Sequence, residues 1–100
     1  MLDKDKSILV VDDIQPSRET VINCLRVLGY LNTREAADGK QALEVLEQSQ
    51  DVQLVISDWK MPRMNGADLL RSIRSTSRWE DLPFIFLTSR SESEDVAEAS

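Results

Sequence analysis

Apolar residues along this chain fall into two alternating rhythms. Short unbroken runs, ILVV within "SILVVDD" at 7–13, "VQLVIS" at 52–57 and "PFIFLTS" at 83–89, have the length and β-branched or aromatic content of strands. The first, four apolar residues ended by two acids, suits a strand buried on both faces. A weaker strand is predicted at 32–36. Between the strands, apolar residues recur every three or four positions, the period of a helix with one buried face. Val21, Ile22, Leu25 and Leu28 form one such face, Ala42, Leu43 and Leu46 a second, and Leu69, Leu70 and Ile73 a third. The punctuation agrees. Pro16 suits a first helical turn and Gly29 a helix end. Asp38 with Gln41, Asn65 with Asp68, and Ser91 with Glu94 have the spacing of capping boxes.

The order is therefore βαβαβαβα, which predicts an α/β fold: a flavodoxin-like, doubly wound parallel sheet with strand order 2-1-3-4 and helices on both faces. In such sheets ligands bind beyond the carboxyl ends of the strands. Asp12 and Asp13 end the first strand, Asp58 ends the third and Thr88 ends the fourth. All four face one crevice in this arrangement, with the first and third strand tips about 5 Å apart.

Composition narrows the function. One hundred residues, 41% apolar, make one modest core and a single domain. Eighteen acidic against twelve basic residues give a net charge of -6, which repels nucleic acid and anionic lipid. No apolar run approaches the length of a membrane span and no export signal is recognisable, so a cytoplasmic protein is expected. The single cysteine, Cys24, cannot form an internal disulfide and is expected as a small packed side chain. With no histidine, His-based triads and His-containing metal sites are excluded.

Three converging carboxylates repel one another unless they take up protons or share a cation. Oxygen ligands too few for a closed calcium cage favour Mg²⁺ or Mn²⁺ with waters retained. A carboxylate beside such a metal can also attack a phosphoryl group and form an acyl phosphate. Asp58 is the candidate nucleophile, Asp12 and Asp13 are metal supports, and Thr88 offers a hydroxyl to a phosphoryl oxygen, with the small Ser89 leaving room.

The segments "VVDD" at 10–13, "LGY" at 28–30, "EAADGKQAL" at 35–43, "SDWKMPRMNG" at 57–66 and "FLTSR" at 86–90 resemble, in order and spacing, the receiver domains of two-component response regulators, especially the CheY-like chemotaxis type. The resemblance implies that Asp58 accepts a phosphoryl group from the phosphohistidine of a sensor histidine kinase or histidine phosphotransfer domain, and that the chain is a signalling phosphoacceptor rather than an enzyme. It implies Mg²⁺ bound by Asp13, Asp58 and the backbone carbonyl of Lys60, with Asp12 acting through a water. Thr88 would be the switch hydroxyl, and Lys60 and Arg90 would tune the lifetime of the phosphoryl group.

The family has a fifth strand and helix that this chain lacks, and with them the lysine that pairs with the phosphoryl group and an aromatic switch residue; neither Lys40 nor Lys60 occupies that lysine's position. Residues 1–100 are accordingly expected to be one receiver domain, truncated at its C-terminus, with the apolar strand at 83–87 left as an edge open to dimerisation or domain swapping. Met61, Pro62, Met64 and Gly66 are expected to shape or fill the loop after Asp58, Trp79 to pack in a loop, and the acidic stretch at 92–98 to be a solvated helix. The rival reading is an interaction module that signals without phosphorylation, or an inactive truncated receiver. A haloacid-dehalogenase-type hydrolase needs an acid where Lys60 stands. An FMN carrier needs a phosphate loop where "DDIQPS" places two negative charges.

Overall fold

In the computed structural model, which describes residues 2–59, 61 and 64–87, the first apolar run forms β1 (Ser7–Val11), buried at all five positions. β2 (Thr33–Ala36) and β3 (Val52–Asp58) pair with it on either side, and β4 (Phe84–Leu87) pairs with β3. All pairings are parallel and the order is β2-β1-β3-β4, as the alternation of rhythms predicts. Parallel neighbours need crossovers, which α1 (Gln15–Val27), α2 (Gly39–Gln48) and α3 (Gly66–Arg74) supply.

Side chains alternate across β1, so its two faces serve two cores. Leu9 and Val11 join Ala42 and Leu46 of α2 and Leu69 and Ile73 of α3. Ile8 and Val10 join Ile22 and Leu25 of α1, with Leu54 and Ile56 of β3. Fully burying an aliphatic side chain of this size stabilises by about 1.5–3 kcal/mol, so β1 is the strand with most to lose from a polar substitution.

The helix signals are mostly realised. The Asp38 carboxylate accepts the N–H of Gln41 at 2.8 Å, and the Gln41 side chain accepts the N–H of Ala37 at 2.5 Å, a capping box displaced by one residue on its return. Asn65 accepts the N–H of Asp68 at 2.8 Å, but the Asp68 carboxylate turns to Arg71, three residues on, at 2.8 Å. α1 ends at Gly29, whose φ of 96° places it in the left-handed region. The N–H of Gly29 then bonds to Arg26 and that of Tyr30 to Leu25, each at 2.9 Å, closing the helix end.

Two expectations about this helix are corrected. Leu28 caps the helix instead of extending its buried face, and is 65% exposed; Tyr30 packs against the Leu25 cluster in its place. Cys24 is exposed, because a residue two past Ile22 and one before Leu25 is rotated off the buried stripe. Met61, Met64 and Trp79 do pack against the α2 and α3 core.

β4 begins at Phe84, one residue later than expected. Pro83 enters the ladder only as an acceptor, its carbonyl taking the N–H of Val55 at 3.0 Å. Phe84 and Phe86 are half-buried, whereas Ile85 and Leu87 are 48% and 41% exposed. At the opposite end of the sheet, Asp51 accepts the Ser7 hydroxyl at 3.0 Å and pairs with Arg34 at 3.3 Å. The helix expected from Ser91 and Glu94, and the acidic stretch at 92–98, lie outside the described residues. Among those described, no helix is long and apolar enough to cross a membrane.

Candidate functional site

The register of the sheet builds the site. Val11 of β1 lies opposite Ser57 of β3, so the residues that follow, Asp12 and Asp58, emerge side by side at the carboxyl end of the sheet. Asp13 comes from the adjoining turn. The carboxylates of Asp12, Asp13 and Asp58 each present an oxygen within 4.8 Å of the others. Asp12 and Asp58 are only 7% and 5% exposed, while Asp13 faces solvent.

Local hydrogen bonds aim the two buried acids. Asp12 accepts the N–H of Ile14 at 2.9 Å, and its own N–H reaches Ala36 of β2 at 3.0 Å. Asp58 accepts the N–H of Trp59 at 2.8 Å, and the Ser57 hydroxyl donates to the Asp58 carbonyl at 2.9 Å. The following loop is drawn back by the N–H of Gly66, which bonds to the Trp59 carbonyl at 2.8 Å. A Cβ at Gly66 would collide with the Asp58 carbonyl oxygen and lie 2.7 Å from the Phe86 ring, so only glycine permits this approach. The Trp59 and Phe86 rings stand 4.7 Å apart, tilted by 56°, and wall one side.

This donor set fits a hard divalent cation. It is made entirely of carboxylate oxygens, too few to close a shell, and the exposed Asp13 leaves one flank open to water. A cavity of about 180 Å³, lined by Asp12, Ser17, Thr20, Val21 and Leu87, adjoins Asp12. A larger one, about 500 Å³, lies at the other end of the sheet beside Trp79, where Arg78 stacks 4.8 Å over the ring and pairs with Glu47. Chemistry rather than volume locates the site: the three acids converge at the carboxyl end of β1 and β3, and only Asp12 of them lines the smaller cavity.

The structure thus brings together Asp12, Asp13 and Asp58. Lys60, Thr88, Ser89 and Arg90 lie outside the described residues, as does Pro62. Sequence reasoning missed Arg18, whose guanidinium donates to the Asp12 carbonyl at 2.7 Å and to Glu35 at 2.9 Å. Its signal was a basic residue four positions before the buried Ile22, on the inward side of α1.

Comparison with known proteins agrees with this fold. The family model described as the response regulator receiver domain matches residues 8–100. The chain is 42% identical to the chemotaxis protein CheY-3 of Vibrio cholerae over 100 residues, covering all of this chain and 76% of that protein. It is 41% identical to the chemotaxis protein CheY of Pseudomonas aeruginosa over 93 residues, covering 93% of this chain and 74% of the relative. The solved chemotaxis response regulator CheY4 of Vibrio cholerae superposes with a TM-score of 0.78 at 31% identity, over 93% of this chain and 76% of that one.

Proposed function

This chain belongs to the response regulator receiver domain family, and from that membership we propose that residues 1–100 form one receiver domain whose Asp58 is reversibly phosphorylated. The observation that carries the reading is the convergence of Asp12, Asp13 and Asp58 within 4.8 Å at the carboxyl end of β1 and β3. Receiver domains interact with histidine kinases or phosphotransfer proteins and typically bind Mg²⁺ at an acidic pocket. In our reading the donor here is a phosphohistidine of such a partner. An Asp58 carboxylate oxygen attacks the phosphorus, the P–N bond breaks, the acyl phosphate forms on Asp58, and the departing imidazole takes up a proton.

Asp13, Asp58 and the Lys60 carbonyl would hold Mg²⁺, or Mn²⁺, directly, and Asp12 through a water. When bound, the cation offsets the charge of the carboxylates and of the incoming phosphoryl oxygens. The protein's own contribution is orientation. The Trp59 N–H holds one Asp58 oxygen, the Asp12 turn sets its carboxylate across the crevice, and burial of both acids keeps water from solvating them freely. Thr88, one residue beyond Leu87, which pairs with Asp58, is assigned the switch hydroxyl on its place in the sequence. The chain then acts as a phosphoacceptor in a cytoplasmic chemotaxis-type pathway rather than as a turnover enzyme, and can associate with a second copy through β4.

Intact mass after incubation with Mg²⁺ and a small acyl phosphate tests the reading. One phosphoryl addition is expected, dependent on Mg²⁺ and absent in Asp58→Asn. A folded chain that takes up none would leave an inactive truncated receiver or an interaction module that signals without phosphorylation, which restoring a fifth strand and helix would separate.

A further inference from the structure

Arg18 stands in the first turn of α1 with its side chain only 15% exposed. Its Nη1 donates to the backbone carbonyl of Asp12 at 2.7 Å and its Nε to the Glu35 carboxylate of β2 at 2.9 Å. A guanidinium so far out of water needs a counter-charge, and Glu35 provides it. The rigid, planar fork then holds two fixed directions at once, one toward the strand and one toward the acid loop.

The consequence falls on Asp13. The peptide that joins Asp12 to Asp13 is planar, so fixing its carbonyl also fixes the N–H and Cα of Asp13. The peptide on the other side of Asp12 is already tied, its N–H bonding to Ala36 at 3.0 Å. Asp13 is the exposed member of the trio and has no burial to hold it in place. The Arg18 contact supplies the orientation that packing does not.

We propose that Arg18, seated by Glu35, is a positioning residue for the cation site, setting the peptide that aims Asp13 beside Asp12 and Asp58. The inference rests on the phosphoacceptor reading above, and the two can fail separately.

The test is Mg²⁺ titration of the full chain, followed by the backbone amide NMR signals of Asp13 and Trp59, in parallel with thermal unfolding. Arg18→Met keeps an apolar stem and loses the fork. It is expected to bind Mg²⁺ about tenfold more weakly, the low end of what losing an outer partner of a metal ligand costs. Leu25→Ala, in the core of the same helix, is expected to melt earlier while keeping the wild-type affinity. Unchanged affinity in Arg18→Met, or an equal loss in Leu25→Ala, overturns the positioning role and leaves the phosphoacceptor reading standing. Should Arg18→Met not fold, Arg18→Lys, which keeps the charge without the fork, is expected to bind Mg²⁺ more weakly, and unchanged binding there overturns the role equally. A wild-type chain that shows no Mg²⁺ binding removes both.

Discussion

At Gly66 the third helix starts within contact of the strand that delivers Asp58. A methyl group at this position would meet the Asp58 carbonyl oxygen, which belongs to rigid backbone, and the Phe86 ring, which is already packed against Trp59. The carbonyl cannot yield without moving the acid, and the ring cannot without loosening its contact with Trp59. Gly66→Ala is therefore expected to destabilise the fold by about 1–3 kcal/mol, the usual cost of overpacking, read as a fall in the urea midpoint. It should also lower the extent of phosphorylation under conditions where the variant remains folded. Gly39 is similarly confined. A Cβ there would lie 2.6 Å from Cγ and 2.9 Å from Cβ of Met64, the end of that side chain fixed to the backbone, so Gly39→Ala should also destabilise the fold. What surrounds each glycine is revealed by no composition or spacing.

Among elements, the start of the sheet is joined by a polar staple. Asp51, just before β3, accepts the Ser7 hydroxyl of β1 and pairs with Arg34 of β2. Burial pushes its carboxyl upward, but the Ser7 hydrogen bond and the Arg34 charge together outweigh that and hold it below the ordinary value of 3.8. A carboxylate with a lowered pKa stabilises the fold above its unfolded value, and the contribution is lost as pH falls through its folded value. Asp51→Asn should thus cost stability at neutral pH, and its deficit against wild type should shrink below about pH 3.8. The Asp51 side chain is 38% exposed, so screening keeps the effect to about 0.2–1 kcal/mol. Denaturation midpoints measured across the acid range check both the sign and the window; a deficit that grows toward low pH would contradict it.

At the scale of the molecule, cover among the described residues is unequal. α2 and α3 overlie one face of the sheet and α1 the other, and Ile85 and Leu87 of β4 are 48% and 41% exposed. Exposed apolar residues on β4, an edge strand of the described sheet, favour pairing with another chain. Self-association that rises with concentration is expected in sedimentation velocity, weakened by Leu87→Lys; a monomer at high concentration would count against it. Much of the architecture was readable beforehand. The 2.0 and 3.6 periods, Gly29, Asp38 and Asn65 identify strands, helices and their ends, because backbone geometry imposes those periods locally. The DD pair and Asp58 were equally legible, since residues at strand ends must share the crevice of a parallel sheet. Cys24 and Leu28 were misplaced because a helix pattern does not show where the last turn closes or how the helix is rotated. Arg18 bonding Asp12 and Glu35, Gly66 against Asp58, and Asp51 among three strands join residues distant in sequence. Local spacing specifies the elements and brings the acids to one end. The orientation of those acids depends on contacts between elements, which exist only once the chain has packed.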